Sequence, residues 1–268
     1  MKSYALNLVS TQTGLNAKLN TLREYLQHYT LGIMQDQGVF RTTAFLGGTA
    51  LRFIYGIPRF SEDLDFSLTQ PAGYDFEELM KKVETELAMA GYNVSVNPNK
   101  EKTVHSSFIK FEGLLYEAEI SPLKSQKFSI KVEIDTNPPE GAALRKEIVN
   151  KYIAISFMSY DLTSLFAGKL HALLSRKYTK GRDFFDLGWY LSKWKDLSPN
   201  FILLENALKQ TGWKGVVPSK ENWKRMIQKV VSEADWNKVK QDVENFLENP
   251  RDAEIFTQEN VLKLLKGD

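Results

Sequence analysis

The chain contains no cysteine, so disulfides and thiolate metal sites are excluded. It also lacks any apolar run near the roughly 20 residues of a membrane span, and its first residues, MKSYALNLVS, lack the apolar core of a secretory signal. The three histidines show no metal-ligand spacing, which argues against a zinc site. Neither a Walker loop nor a Gly-x-Ser-x-Gly elbow is present. We therefore expect a cytoplasmic protein that does not engage membranes.

The chain also has no large excess of charge of either sign, since its formal net charge is only +2. A nucleic-acid site would therefore have to come from local clustering of basic residues. An apolar content of 43% over 268 residues is that of an ordinary globular protein, with enough chain for one large domain or two modest ones.

Hydrophobic periodicity divides the chain into a mixed half and a helical half. Apolar spacing predicts helices over residues 15–29, 49–55, 74–90 and 162–176, and alternation predicts strands over 94–96, 107–111 and 128–135. Gly91 stands where a left-handed helix end is expected. We predict an α/β (α+β) fold with N-terminal helices over 1–35, a core over 36–158 and a helical C-terminal domain over 159–268, with the change of character near 156–161.

Two aspartates in the first half carry the strongest chemical signal. Asp63 and Asp65 alternate with Leu64, Phe66 and Leu68, the pattern of a half-buried strand. Residues two apart on a strand share a face, so the two carboxylates lie side by side and repel unless a cation is present. Oxygen ligands favour Mg²⁺ or Mn²⁺, and such a pair suits metal-assisted phosphoryl transfer.

A third carboxylate would complete a two-metal site, and the predicted strand 128–135 is its best source. Glu133 and Asp135 share the polar face of that strand. Glu133 is preferred because Asp135 borders the Asn-Pro-Pro turn, although either can serve. The alternative is an exposed ion pair between Lys131 and Glu133, which would contribute little.

Residues before the aspartates are candidates for nucleotide contacts. Gly47, Gly48 and Thr49 open a short helix, where backbone N–H groups favour phosphate. The alternative is a tight turn packed on the sheet. Arg59 can clamp a triphosphate bidentately, and Ser61 faces the same way as Asp63 if the strand already includes it.

A lysine interrupts the apolar stripe of the predicted helix 162–176. Lys169 belongs to that stripe by its spacing, so it requires an anion or must reach solvent. Asp183, at the start of the next predicted helix, is its natural partner. Asp186 shares the face of Asp183 and can instead pair with Arg182. Either aspartate remains a candidate for the essential one.

The C-terminal tail has seven basic residues against three acidic ones over 214–240, with Trp223 and Trp236 interleaved and Trp213 directly before the segment. Such a pattern can form a nucleic-acid face. We favour the plainer interpretation, an amphipathic helical segment with its tryptophans in the core.

These motifs together resemble the AbiEii/AbiGii toxin family, within the polymerase-β-like nucleotidyltransferase superfamily. The resemblance covers roughly residues 20–195 and rests on the strings FLGGTALR (45–52), YG (55–56), RFSEDLDF (59–66), KVEI (131–134), KLHA (169–172) and RDFFDL (182–187). It implies a nucleotidyltransferase core with a mixed sheet, followed by a helical C-terminal domain. In that family pattern Asp63 and Asp65 carry the metals, and Lys169 and Asp183 are essential.

The resemblance further implies a toxin of a toxin–antitoxin (abortive infection, phage defence) system, accompanied by a cognate antitoxin. Some relatives add pyrimidine nucleotides to the 3′ end of tRNA. We accordingly expect a Mg²⁺-dependent transfer of a nucleoside monophosphate from an NTP to an acceptor hydroxyl, with tRNA as the expected acceptor. A protein hydroxyl as acceptor, and a nucleotide-binding module without turnover, are the alternatives.

Overall fold

The computed structural model describes residues 1–267, which form two compact units. The first unit comprises Met1–Gly56, Phe60–Pro138 and Arg145–Ser159. The second comprises Ile57–Arg59, Pro139–Leu144 and the chain from Tyr160 onward. The last segment of the second unit begins at Tyr160, and the inclusion of two short earlier segments in that unit was not foreseen.

The first unit combines five helices with a sheet. Its helices are α1 (Lys2–Ser10), α2 (Leu15–Asp36), α3 (Gly47–Ala50), α4 (Phe76–Met89) and α5 (Leu114–Glu117). A 3₁₀ turn spans Val39–Arg41, and a π-helical turn, Leu51–Tyr55, continues α3. The strands are β1 (Thr43–Leu46), β2 (Asp63–Leu68), β3 (Val94–Val96), β4 (Val104–Phe111), β5 (Phe128–Asp135), β6 (Leu144–Asn150) and β7 (Ala154–Tyr160).

These seven strands form one mixed sheet in the order β3-β4-β5-β2-β1-β7-β6. At its centre β2 pairs antiparallel with β1 and parallel with β5. The predicted α/β class with a mixed sheet is therefore confirmed, and β2, the strand that carries the aspartate pair, is flanked on both sides.

Local sequence explains the elements that were predicted well. Along β5, Phe128, Ile130, Val132 and Ile134 are buried, while the residues between them are not, as their alternation predicts. Helix α4 begins where the Asp75 carboxylate accepts hydrogen bonds from the N–H groups of Glu77 and Glu78, at 3.0 and 3.1 Å. It ends before Gly91, whose φ of +94° is the left-handed conformation expected there.

Three strands and one helical irregularity depart from the sequence-based expectations. Strands β1, β6 and β7 were not predicted. The segment predicted as one short helix over 49–55 is instead an α-helical turn that begins at Gly47 and passes into the π turn. A π turn closes i→i+5 hydrogen bonds and has no signature in apolar spacing over so few residues.

The second unit is helical, as predicted for the chain beyond about residue 161. Its helices are α6 (Leu162–Ser175), α7 (Gly181–Lys193), α8 (Phe201–Gln210), α9 (Trp223–Glu233), α10 (Trp236–Glu244), α11 (Asp252–Ile255) and α12 (Gln258–Lys266). Helix α6 is capped by the preceding residue, Asp161, whose carboxylate accepts a hydrogen bond from the Ser164 N–H at 2.7 Å.

Aromatic packing holds the helices of this unit together. The Phe166 ring on α6 stacks on Tyr190 with the centroids 4.5 Å apart, and Trp223 meets Phe166 edge-on at 5.6 Å. Trp236 packs against Phe256 at 5.2 Å. Trp223 and Trp236 of the basic tail thus lie against core aromatics, in line with the plainer interpretation of that segment.

No helix between residues 1 and 267 combines the length and the apolar character that crossing a bilayer would require.

Candidate active site

The aspartate pair lies on one face of β2. Asp63 and Asp65 are half-buried, while Leu64 and Phe66 between and after them are buried in the core. Because successive side chains of a strand alternate between faces, both carboxylates project from the same side of the sheet. The predicted side-by-side arrangement is confirmed.

Strand β5 supplies the neighbouring charges. The parallel register places Lys131 opposite Asp63 and Glu133 opposite Asp65, so these four side chains share a face. Asp135, the alternative third carboxylate, lies opposite Ser67, two residues further along. The register therefore favours Glu133 over Asp135 as the partner of the aspartate pair.

Lys131 lies among the three carboxylates. Its Nζ is 2.7 Å from Glu133 Oε1, and both side chains are about a third exposed. Burial would lower the pKa of Lys131, but the hydrogen bond to Glu133 and the charges of Glu133, Asp63 and Asp65 raise it. The ion pair between Lys131 and Glu133, which the sequence offered as the alternative, is thus present, and the ammonium group offsets one of the three negative charges on this face.

The donor chemistry of this face fits a hard divalent cation. Asp63, Asp65 and Glu133 offer only carboxylate oxygens, the ligands that Mg²⁺ and Mn²⁺ prefer. Within residues 1–267, however, no three acidic or histidine side chains are already arranged as a metal-binding group. Glu133 is paired with the Lys131 ammonium group instead, at 2.7 Å.

Gly47 brings the backbone against the aspartate face. Its φ is +81°, which L side chains rarely adopt, and a Cβ placed there would lie 2.3 Å from Asp65 Oδ2. Glycine at position 47 therefore allows Asp65 to occupy its place beside the start of α3.

Thr49 secures the other aspartate. Its buried hydroxyl donates to the carbonyl oxygen of Asp63 at 2.5 Å, which ties α3 to the first residue of β2. The hydroxyl hydrogen is thus used within the protein, and Thr49 positions Asp63. Its predicted contact with a phosphate stays a prediction, as do those of Gly47 and Gly48.

Ser61 was predicted to face the same way as Asp63 only if the strand already included it, and the strand does not. Strand β2 begins at Asp63, so Ser61 precedes the strand rather than sharing its face. Its carbonyl oxygen accepts a hydrogen bond from the Gln27 side chain at 3.1 Å.

In the helical unit, Lys169 finds the partners that its position requires. Its Nζ is 3.1 Å from Asp183 Oδ1 and 2.6 Å from Asp186 Oδ2, and the lysine side chain is only 14% exposed. The predicted pairing with Asp183 is confirmed, and the alternative of a lysine reaching into solvent is wrong. Asp183 and Asp186, which share a face of α7, therefore both pair with Lys169.

The Asp186 carboxylate also pairs with a second basic side chain, Arg59, which the sequence did not indicate. Arg59 Nε and Nη2 approach the two oxygens of Asp186 at 2.5 and 2.6 Å, and both side chains are almost fully buried. Burial alone would raise the pKa of Asp186, but Arg59 and Lys169 lower it. The guanidinium fork of Arg59 is therefore occupied by a carboxylate, and its contact with a triphosphate stays a prediction.

The alternative in which Asp186 pairs with Arg182 is wrong, because Arg59 and Lys169 are its partners. Arg182 instead approaches Asp242 of α10, with Nε 3.8 Å from Oδ2. Asp183 takes a further partner, Arg176 at the end of α6. Arg176 stands seven residues before Asp183, across the turn that joins α6 to α7. This short spacing is the sequence feature that could have indicated their contact.

Comparison with known proteins identifies the class. Residues 31–258 match the model of the AbiEii family, described as the nucleotidyl transferase AbiEii toxin of type IV toxin–antitoxin systems. Since this match covers most of the chain, the protein belongs to the AbiEii nucleotidyltransferase toxin family, as the sequence motifs suggested. Membership of a toxin–antitoxin family implies an antitoxin partner. The comparison with curated proteins gave no significant match.

Solved structures with the same fold come from Helicobacter pylori. JHP933 is 19% identical with a TM-score of 0.57, over 92% of this chain and 90% of that one. A candidate nucleotidyltransferase is 19% identical with a TM-score of 0.56, over 90% of this chain and 92% of that one. At this identity the likeness establishes a shared fold.

Proposed function

We propose that the protein transfers a nucleoside monophosphate from an NTP to an acceptor hydroxyl, at the face formed by β2 and β5. The observation that carries this proposal is the register that sets Glu133 opposite Asp65 and gathers three carboxylates on one side of the sheet. Such a cluster is costly without cations, and phosphoryl transfer requires cations at the substrate phosphates.

In this proposal Asp63 and Asp65, with Glu133, hold Mg²⁺ or Mn²⁺. When bound, the divalent cation neutralises charge on the triphosphate and lowers the pKa of the attacking hydroxyl. The donor set of three carboxylates supports this assignment, and Lys131 must give up Glu133 for the third ligand to become available.

The protein groups then have distinct tasks. The acceptor oxygen attacks the α-phosphorus and its proton passes to the Glu133 carboxylate. The bond between the α-phosphorus and the bridging oxygen breaks, and pyrophosphate leaves. Gly47 and Gly48 let the nucleotide approach the backbone, and Thr49 keeps Asp63 in place through its carbonyl oxygen.

Lys169 and Asp183 are proposed as essential on the family pattern. Their ion pair, with Asp186 beside it, joins α6 to α7 and supports a positioning role for Asp183. The neutralisation of triphosphate charge by Lys169 is a further part of the proposal. A Lys169→Met variant that folds normally but keeps full transfer activity would remove Lys169 from it.

For the acceptor we propose the 3′ end of tRNA, supported by membership of the AbiEii family. Transfer to a protein hydroxyl is the competing possibility within the same chemistry. The two are separated by the product, which is a tRNA longer by one or more nucleotides or a protein heavier by one nucleotidyl group.

The test is an incubation with tRNA, or with cell protein, and each labelled NTP in turn, with and without Mg²⁺ or Mn²⁺. We expect label on one acceptor only when the cation is present. Asp63→Asn should reduce transfer about 100-fold or more, since it removes a group that acts on the transition state. Glu133→Gln should reduce it more than Asp135→Asn does.

Glu112→Gln is the matched control, because Glu112 follows β4 in the same unit and its exposed carboxylate pairs with the exposed Lys127. We expect it to retain wild-type transfer. Full activity of a folded Asp63→Asn variant would overturn the assignment of the site. Absence of label on every acceptor, together with unimpaired binding of Mg²⁺–NTP, would instead favour the binding module without turnover.

A further inference from the structure

Strand β6 forms one end of the sheet, and its outer edge is open. It spans the seven residues Leu144–Asn150 and stands last in the strand order, so within residues 1–267 it adjoins β7 alone. Apart from bonds inside the sheet, no backbone hydrogen bond of the described chain reaches residues 145–150. A strand in this position presents its outward N–H and C=O groups to any strand that can lie beside it.

One face of β6 exposes apolar side chains at this edge. Leu144, Lys146 and Ile148 share the face, because they lie two residues apart along the strand. Ile148 is 74% exposed and Leu144 is 43% exposed. The edge therefore offers both unpaired backbone groups and apolar surface that a further strand would cover.

The other face of β6 carries one charge of each sign. Arg145 and Glu147 share that face, with Arg145 Nε 3.9 Å from Glu147 Oε1. When a strand pairs antiparallel with a copy of itself about a two-fold axis, each residue lies opposite a residue of the same face. An axis at Arg145 would oppose two arginines, and an axis at Glu147 would oppose two glutamates. An axis at Lys146 instead sets Arg145 opposite Glu147 twice.

The same register joins the apolar side chains. With the axis at Lys146, Leu144 of one copy lies opposite Ile148 of the other, again twice, because the two positions are equally far from the axis. Opposite charges and apolar side chains directly across two strands both stabilise a sheet. The order of residues along β6 is thus complementary to itself, which favours a second copy of this chain as the occupant of the edge.

We propose that two copies of the protein associate through β6, antiparallel about a two-fold axis at Lys146, and join their seven-stranded sheets into one. The two Lys146 side chains meet at the axis, and like charges directly opposite destabilise a strand pair. The association is therefore weak and reversible, in the class of small interfaces. It does not rest on nucleotidyl transfer, because the carboxylates of β2 and β5 take no part in it.

Oxidative cross-linking tests the position of the axis. The chain contains no cysteine, so each variant carries a single thiol. Lys146→Cys places two thiols directly opposite each other, where Cβ atoms about 4.5–5.5 Å apart approach the distance of a disulfide. We expect mild oxidation with copper phenanthroline to convert this variant to a covalent dimer, seen on a non-reducing gel.

Asn150→Cys is the matched control, since Asn150 is exposed on the same face of β6 and its replacement leaves the proposed contacts in place. Asn150 lies four residues beyond the axis in each copy, so the two thiols would be about 27 Å apart and should not join. Equal cross-linking of both variants would indicate random collision and would overturn the proposal. A covalent dimer of Asn150→Cys alone, or of neither variant, would overturn it as well.

Sedimentation equilibrium tests the charge pairs without a cross-link. Between about 5 and 200 µM, a range suited to weak interfaces, we expect the wild type to pass from monomer to dimer. Arg145→Glu and Glu147→Arg should each raise the dissociation constant about tenfold, because each replaces two attractive pairs with two like-charge pairs. The double variant Arg145→Glu/Glu147→Arg restores opposite charges and should return to within about threefold of the wild type.

Lys82→Glu is the control for surface charge, since Lys82 is an exposed lysine on α4 that pairs with Glu78. It should leave the dissociation constant unchanged. A wild type that stays monomeric at about 200 µM refutes the association. Single reversals without effect refute it too, as does a double variant as weak as either single one, provided that each variant has the circular dichroism of the wild type.

Discussion

Replacing Arg59 by methionine tests how far one buried ion pair stabilises the helical unit. The Arg59 side chain is 2% exposed and that of Asp186 is fully buried, so the substitution leaves a carboxylate in the interior without its two-pronged partner. Breaking a buried pair from one side typically costs about 3–5 kcal/mol. Lys169, 2.6 Å from Asp186, remains as a compensating cation and places the expected loss near the lower end, about 3 kcal/mol.

That loss is measurable, because domains of ordinary stability unfold at a cost of about 5–15 kcal/mol. All five tryptophans lie between residues 189 and 236, so tryptophan fluorescence during urea unfolding reports the helical unit. We expect a lower transition midpoint for Arg59→Met with an unchanged slope.

Arg145→Met is the matched control, since the Arg145 side chain is 64% exposed and its Nε lies 3.9 Å from Glu147. It should change the free energy of unfolding by no more than about 0.5 kcal/mol. A loss below about 1 kcal/mol in Arg59→Met would refute the reasoning. The double variant Arg59→Met/Asp186→Leu should recover part of the loss, because it leaves no unpaired carboxylate.

Three further perturbations have expected outcomes in the first unit. Gly47→Ala should reduce nucleotidyl transfer at least about tenfold, because the new Cβ meets the Asp65 carboxylate in a backbone conformation that alanine rarely adopts; a labelled-NTP assay checks this. Burial lowers the pKa of His28 to about 4, so the unfolded chain takes up a proton at higher pH than the folded one. Its free energy of unfolding should therefore fall by up to about 1.4 kcal/mol per pH unit between pH 6.5 and 4, and His28→Leu should flatten the urea-derived profile. Lys131→Met should raise the affinity for Mn²⁺, measured by calorimetry without nucleotide, because Glu133 loses its competing ammonium group.

Each of these has a matched comparison. Gly168→Ala adds a methyl group in open space on α6 and should leave transfer unchanged. A pH profile equally steep in His28→Leu would contradict the role given to the imidazole. Lys127→Met removes an exposed lysine that pairs with Glu112 and should not alter Mn²⁺ affinity. Weaker Mn²⁺ binding by Lys131→Met would show that the lysine supports the carboxylate face rather than competing for it.

Sequence reasoning located the elements whose patterns are long and regular. The bounds of β5 and of the short β3 were predicted to the residue, and those of α4 and α6 to within two, because alternation and helical spacing are unambiguous there. Strand β1 has only four residues, and β6, with the sequence LRKEIVN, is exposed along most of its length. Neither offers a periodic apolar face to detect.

The contacts of the candidate site likewise divide into those that the sequence predicted and those that it did not. The pairing of Lys169 with Asp183 was predictable, since 14 residues and one helix-to-helix turn separate them. The pairing of Arg59 with Asp186 joins residues 127 apart, and only the folded chain brings them together. The place of Lys131 among the carboxylates likewise depends on which strands are neighbours, which spacing along one strand does not determine.

The π turn at Leu51–Tyr55 constrains how many residues the chain has at that point. It holds one more residue per hydrogen-bonded loop than an α-helix and ends at Gly56, whose φ is +69°. A chain shortened by a single residue there would close ordinary α-helical hydrogen bonds and change the point at which the chain leaves the helix at Gly56. Chain length between Gly47 and Gly56 is therefore constrained in addition to the residue types at Gly47 and Thr49, and redesign of this protein should keep its length there.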